Sequence, residues 1–507
     1  MTKILTLDLG TNGARAGIYD IDRRRLIAKA EAGYPTRHLP PNRAEQDPED
    51  WWRALATAVQ GAVAQAGAPE IAAITVATFS STVVVADRRG TPLAPAILWM
   101  DARASAEARE TEGIDHPVLD YCGGSNAVEW LVPKAMWLSR HEPGLWSRTE
   151  VICEALDFVN FRLTGEWSGS LMNATCKWNY DSRARRFSQE LYDRFGVPEL
   201  AERLPQRIVD IGAVIGPLLP EVARLWGIND SAIVVQGGID AHMGIFSADC
   251  IAPGAMLLIG GTSNVHLTQV PDDGTPVTGV WGPYPHALTP DLRMIEGGQV
   301  SAGSILKWLS QDIFGIDNGA LPALLDQVER IEPRDTRLLA LDFWMGNRTP
   351  YRDARLRGAF LGLSLSHDRA AIYRAAVTAV ALGSANVVFD LERQGIAIDR
   401  IVLAGGIMHN RVWLQATVDA LGKPVGLAPD DNLTLYGNAV AAAVGLGLWP
   451  DLASAARAMR PDFTTLLPDP DRHQQYRRLL TQYRRAVDLL TPLLHDLADS
   501  DMAGDDA

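Results

Sequence analysis

Residues 2–20 read TKILTLDLGTNGARAGIYD. A strand-like apolar run, Lys3 to Leu7, meets Asp8, then a Gly-Thr turn, then a second strand-like run; Gly10, Gly13 and Gly17 punctuate it. This is a hairpin pattern. Residues 255–270, AMLLIGGTSNVHLTQV, repeat it. A second echo links IAAITVATFSS (71–81) with IDRIVLAGGIM (398–408), each after a helical stretch. Two echoes in one order predict two related α/β halves with a boundary near 245–254. The domains expected are 1–247 and 248–497. The remaining stretch, 498–507, reads ADSDMAGDDA, which is acidic and aperiodic and is expected to be a frayed, flexible tail.

Working outward, Asp47 and Pro48 begin a helix over about 48–66, with Trp51, Leu55, Val59, Ala62 and Val63 at helical spacing. Strands follow at Ile71–Thr78 and Thr82–Ala86. The middle, 120–235, reads as material inserted around a core sheet, with helical pieces in LVPKAMWLSRHEP and ICEALDFVNFRLTG. A strand at Ile233–Gln236 leads into Asp240. Helices are expected at 368–394, 410–421, 437–447 and 473–496.

With 507 residues the chain exceeds one compact core, so two or three domains are expected. Net charge is −14 with no basic stripe, which argues against a nucleic-acid partner and for a small molecule. The four cysteines form no CxxC pair and read as buried thiols in a reducing cytosol. Neither a signal peptide nor a stretch of ~20 apolar residues is read, so a cytoplasmic chain without a membrane partner is expected.

Chemistry concentrates at the turns. A Gly-rich turn aims several backbone N–H groups at one point, and Thr, Ser or Asn adds a donor. Two such turns from two halves would clamp a polyphosphate; no GxxxxGK[ST] loop is present. Either turn alone reads as an ordinary β-turn. Asp8 ends a buried strand, where Mg²⁺ or its water shell is a natural partner; the alternative is a turn-initiating Asx residue. Asp240 follows a strand and opens a helix. It would accept the proton of an attacking hydroxyl, and a weak base suffices because phosphoryl transfer depends mostly on position and charge. Its alternative is a helix cap.

These pieces resemble the FGGY family of carbohydrate kinases over about residues 3–450. They are DLGTNGARAGIYD, LWMDARA, VPKAMWLSRH, GGIDAHMG, GGTSN, AGGIMHNRVWLQATVDALGKPV and GNAVAAAVG, in order and in spacing. The resemblance implies an α/β fold of two actin-like (ribonuclease H-like) lobes with a deep cleft between them. It makes 1–247 the sugar-binding lobe with the catalytic base and 248–497 the nucleotide lobe. It implies Asp240 as base and Asp8 as the Mg²⁺-associated carboxylate. Gly10, Thr11 and Asn12 become the first phosphate turn, and Gly261, Thr262 and Ser263 the second. Gly303 and Lys307 fall near the nucleotide, and Gly405, Gly406 and Asn410 at the adenosine. ATP and Mg²⁺ are the implied cofactors, and a homodimer is an expectation because related kinases are often dimers.

Within the family, CKWNY (176–180), IEGGQVSAGSILKW (295–308) and GNRTP (346–350) are similar to ribulokinases and related pentulose kinases. That likeness implies Lys177 and Glu296 as substrate contacts, through donor and acceptor bonds to sugar hydroxyls; a surface ion pair is the alternative. The loop Phe79-Ser80-Ser81-Thr82 matches the substrate wall, with Ser81 as a contact. It lacks the Gln-His pair of xylulokinase-like chains and the Arg-Glu pair of glycerol kinases. Asp101 and Arg103 are expected to shape the pocket. Trp99, Trp130, Trp137 and Trp178 would stack on a sugar or pack the core. The expectation is ATP-dependent phosphorylation of a terminal hydroxyl of a ketopentose such as ribulose. The rivals are a C4 or C5 polyol (erythritol, xylitol) or xylulose as substrate, and a non-catalytic, actin-like nucleotide sensor.

Overall fold

The computed structural model describes residues 2–429 and 432–502. In the first half, β1 (Lys3–Gly10) pairs antiparallel with β2 (Gly13–Asp20), so that only Thr11 and Asn12 form the turn. β3 (Arg25–Gly33) extends the meander. Helix α1 (Pro48–Gln65) follows; the Asp47 side chain caps it by accepting from the Glu49 amide, and Trp51, Leu55 and Val59 enter the core. β4 (Ala73–Thr78), buried at every position, lies parallel to β1, as the continuous apolar run requires. β5 (Ile233–Val235) then lies parallel to β4, and α2 (Asp240–Ser247) closes the half. The stretch between β4 and β5 contributes three strands, 83–86, 96–97 and 151–154, to a five-stranded sheet completed by 37–39 and 43–46, and carries the helices 131–141 and 171–177.

The second half reuses the plan. β6 (Gly254–Gly260), β7 (Asn264–Pro271) and β8 (Leu292–Gln299) form an antiparallel meander. Helix α3 (Arg369–Arg393) leads to β9 (Ile398–Ala404), parallel to β6. Helix α4 (Arg411–Leu421) leads to β10 (Val425–Leu427), parallel to β9. The order β8-β7-β6-β9-β10 repeats β3-β2-β1-β4-β5 with the same strand directions. The two echoes read from sequence are therefore the matching β1–β2/β6–β7 hairpins and the matching β4/β9 strands. Helices α5 (Leu433–Gly445) and α6 (Pro470–Met502) complete the chain.

The halves are joined through α2 and α5. A Cβ at Gly437 would stand 1.9 Å from the Met243 carbonyl oxygen, so only glycine lets these helices meet. Asn438 on α5 donates its amide to the Leu7 carbonyl of β1 at 2.7 Å. One core cluster runs from Ile4 and Ala73 through Met243 and Ala439 to Leu257 and Val402. The small residues of GNAVAAAVG are thus the seam of the molecule.

Four readings need correction. Residues 151–154 form a strand, with the helix starting at Ala155, because VICE pairs with 83–86. The helix placed at 437–447 starts at Leu433. Helix α6 continues through Met502, five residues into the stretch read as a tail; 503–507 lie outside the described residues. Helix α3 is long and apolar enough by composition to cross a membrane, but 89% of its apolar window is buried, and it is a core helix of the second lobe.

Candidate active site

Strand β1 carries Asp8 to the cleft with Arg15 opposite it in register. Arg15 Nη1 donates to Asp8 Oδ2 at 3.0 Å. Asp8 Oδ1 is buried without a hydrogen-bond partner. Burial, then the negative charge of Asp240, raises the Asp8 carboxyl to about 7. Asp240 begins α2; its Oδ1 accepts from the Ala241 amide at 2.7 Å, and burial raises its carboxyl too. An orphaned acceptor of this kind costs about 1–3 kcal/mol. A hydrated divalent cation would satisfy Asp8 Oδ1 and offset the repulsion between the two carboxylates, so the donors fit Mg²⁺. Among the described residues no cluster of three ligating side chains exists, which suits an ion held mainly by water and phosphate oxygens.

The two turns stand at the open ends of their hairpins. Trp99 Nε1 donates to Thr11 Oγ1 at 3.1 Å, and Gln46 Nε2 to the Thr11 carbonyl at 2.8 Å, while Asn12 stays exposed. The second turn is fixed from below: the Ala302, Gly303 and Ser304 amides donate to carbonyls of Thr262, Gly261 and Thr262 at 2.9, 3.0 and 3.1 Å. A Cβ at Gly303 would lie 2.5 Å from the Gly261 oxygen, so Gly303 supports the turn through close approach. Gly405 abuts the Gly260 carbonyl, which brings the expected adenosine turn against the second phosphate turn. Asn410 caps α4 by accepting from the Trp413 amide at 3.1 Å and donates to Tyr373 at 3.2 Å. Lys307 is exposed.

The residues expected to contact the sugar do not form a surface ion pair. Lys177 Nζ lies 3.4 Å from Glu296 Oε2, with both side chains buried, 4% and 8% exposed. His242, two residues after Asp240, reaches the same oxygen at 3.3 Å. The Lys177 ammonium stands 4.8 Å from the Trp281 ring, 5.1 Å from Trp130 and 5.8 Å from Tyr284. Burial alone would raise Glu296, but Lys177, His242 and Arg348 outweigh it and hold the carboxyl well below the usual carboxylate range. Ser81 departs from expectation. It is fully buried, its hydroxyl donating to Glu154 Oε1 at 2.6 Å, because that buried carboxylate needs donors. Ser80 is the member of the pair that reaches solvent. Asp101 accepts from Arg103 at 2.8 Å and from the Ala44 amide at 2.7 Å, which ties the Arg103 guanidinium to the segment around Ala44. Trp130 and Trp178 are buried, and Trp178 Nε1 donates to Glu154 at 2.8 Å.

The N-terminal domain model of the FGGY family of carbohydrate kinases matches residues 3–247, and its C-terminal domain model matches 256–446. The chain belongs to the FGGY family of carbohydrate kinases. It is 29% identical over 509 residues to the FGGY carbohydrate kinase domain-containing protein of Homo sapiens, covering 89% of this chain and 90% of that one. It is 26% identical over 529 residues to Ribulokinase 2 of Staphylococcus saprophyticus, covering 97% of each. A solved xyloylose kinase from Brucella ovis matches with a TM-score of 0.87 at 26% identity, covering 97% of this chain and 100% of that one.

Several residues of this FGGY kinase escaped the sequence reading. Trp281, Tyr284 and Arg348 complete the surroundings of Lys177 and Glu296; the Arg348 guanidinium lies 4.0 Å from the Trp281 ring and donates to Glu129 at 3.2 Å. Glu154 organises Ser80, Ser81, Asn173 and Trp178. A carboxylate closing the run VICE, flanked by apolar residues, was the available signal for Glu154. Nothing local marks Trp281 or Tyr284.

Proposed function

We propose that this FGGY kinase transfers the γ-phosphoryl group of ATP to a terminal hydroxyl of a ketopentose, ribulose first among them. The observation that carries the reading is the buried Lys177–Glu296 pair beside His242 on the helix that Asp240 begins. A donor and an acceptor held out of water select adjacent sugar hydroxyls more sharply than exposed groups would. His242 joins the pair to the helix that Asp240 begins, so that a sugar held there would present its remaining hydroxyl toward the base.

In this reading Asp240 accepts the hydroxyl proton as the sugar oxygen forms its bond to the γ-phosphorus. The bond to the β,γ-bridging oxygen breaks, ADP leaves, and the proton passes to solvent. The turns Gly10–Asn12 and Gly261–Ser263 present backbone N–H groups to the phosphates, with Gly303 and Lys307 beside them, while Gly405, Gly406 and Asn410 frame the adenosine. Asp8 would hold Mg²⁺, and the ion when bound would supply neutralising charge to the phosphates. Lobe closure excludes water from the transfer.

Xylulose is the second reading, favoured by the likeness to the xyloylose kinase from Brucella ovis. The loop Phe79–Thr82 weighs against it, since its serines are committed to Glu154. A coupled ADP-release assay over ribulose, xylulose, pentitols, tetritols and hexuloses separates these. Ribulose should give the highest kcat/KM. Asp240→Asn should lower kcat by about 10²–10⁴; full turnover in that variant overturns the base assignment. Tight ATP binding with no sugar-stimulated ADP release would favour a nucleotide sensor.

A further inference from the structure

Helix 131–141 carries a lysine inside its apolar face. Lys134 is fully buried, and its Nζ donates to three backbone carbonyls: Ser81 at 2.8 Å, Leu98 at 2.7 Å and Glu129 at 2.7 Å. An ammonium has three hydrogens, one for each. A buried cation is costly, and an apolar side chain of the same size is usually at least as stabilising. Core packing therefore does not account for the charge.

Each acceptor belongs to a segment that carries a site group. Beyond Ser81 the chain continues as the wall held by Glu154, which also accepts from Asn173 and Trp178 on either side of Lys177. Next to Leu98, Trp99 holds the Thr11 hydroxyl of the first turn. Glu129 meets Arg348 of the other lobe, and the adjacent Trp130 lies against the Lys177 ammonium. We infer that Lys134 is the positioning residue of the acceptor-sugar site, its ammonium setting the three segments at one spacing.

The inference rests on the sugar-phosphorylation reading for its kinetic readout, though not on which sugar is used. Burial draws the Lys134 ammonium down to about 7 against the opposing pull of Asp101, Glu154 and Glu129, with Arg103 adding to the downward side. The neutral amine has two hydrogens for three carbonyls. The sugar site should therefore loosen as pH rises through this range.

The test compares wild type with Lys134→Gln, which keeps two N–H donors and does not titrate, and with Lys134→Met. In wild type the sugar KM should rise at least threefold between pH 6 and 8.5. Both variants should show a sugar KM at least tenfold above wild type at pH 6, flat with pH, and a smaller change in ATP KM. A role confined to stability would lower the melting temperature and leave the KM of the folded enzyme unchanged; that result, or a KM in the variants that climbs as in wild type, overturns the inference. If neither variant folds, the wild-type profile decides: a flat sugar KM overturns it. Hydrogen exchange at one pH decides even if no sugar is phosphorylated. Peptides spanning 79–83, 96–103 and 127–131 should exchange at least fivefold faster in Lys134→Gln than in wild type, and equal rates refute the tether. Absence of turnover with every sugar in wild type would count against the kinase reading and leave the exchange result to judge Lys134.

Discussion

Glu296→Gln removes the charge that Lys177 meets across the lobes. The pair is 3.4 Å apart and almost wholly out of water, and breaking a buried pair from one side typically costs ~3–5 kcal/mol. Here the lower end is expected. The stranded Lys177 keeps its contacts with the Trp281, Trp130 and Tyr284 rings, and a desolvated cation–π contact contributes about 2 kcal/mol. Lys177→Met leaves Glu296 with His242 and Arg348, so its cost should be similar, ~3 kcal/mol. In the double variant the second loss is smaller, and the coupling should be about 1–3 kcal/mol. Guanidinium titrations of the four proteins at pH 7, followed by tryptophan fluorescence, measure it. The Glu296 carboxyl is held below its ordinary value of 4.5, so its stabilisation is complete above that pH and is lost as pH falls toward the lowered value. Glu296→Gln should flatten that acid limb. Additivity within about 0.5 kcal/mol, or a Gln variant more stable than wild type, refutes the interlobe pair. A sugar KM unchanged by either substitution refutes its role in binding.

Three further outcomes follow from the geometry. Asp8 has a raised carboxyl, so the folded chain holds a proton that the unfolded chain has released; stability should decline as pH climbs from 3.8 through about 7. Asp8→Asn should raise the melting temperature at pH 8, change it little at pH 4, and lower turnover at least about a hundredfold; equal melting shifts at both pH values would contradict this. Gly303→Ala places a methyl 2.5 Å from the Gly261 carbonyl and should raise the ATP KM while sparing the sugar KM, whereas Gly144→Ala, with no atom within 4 Å, should change neither. Asn410→Ala removes the cap of α4 and should cost about 1 kcal/mol and weaken ATP binding by calorimetry; unchanged affinity would detach Asn410 from the nucleotide site.

The hairpins, the strand-end aspartates and the doubling of the fold were legible because each is written within some twenty residues. Apolar alternation marks a strand, Gly-Thr marks its turn, and a carboxylate closing an apolar run stands out at once. GNAVAAAVG was read as part of the family resemblance; its structural role is the approach of α5 to α2, which depends on Met243 far away in sequence. Lys177 and Glu296 were named from a resemblance, with a surface pair as the alternative. They do form a pair, 119 residues apart, but a buried one.

Sequence by itself therefore determined two halves of one α/β plan, their turns, and the carboxylates at their strand ends, since periodicity and turn chemistry are local. Tertiary structure alone decided which groups face one another out of water. Lys177 found Glu296, Trp281 and Tyr284, Ser81 turned to Glu154, and Lys134 gathered three carbonyls. Those outcomes depend on desolvation among segments far apart in sequence, within the first lobe as well as at the seam where Asn438 reaches Leu7 over 431 positions, and no local pattern records them.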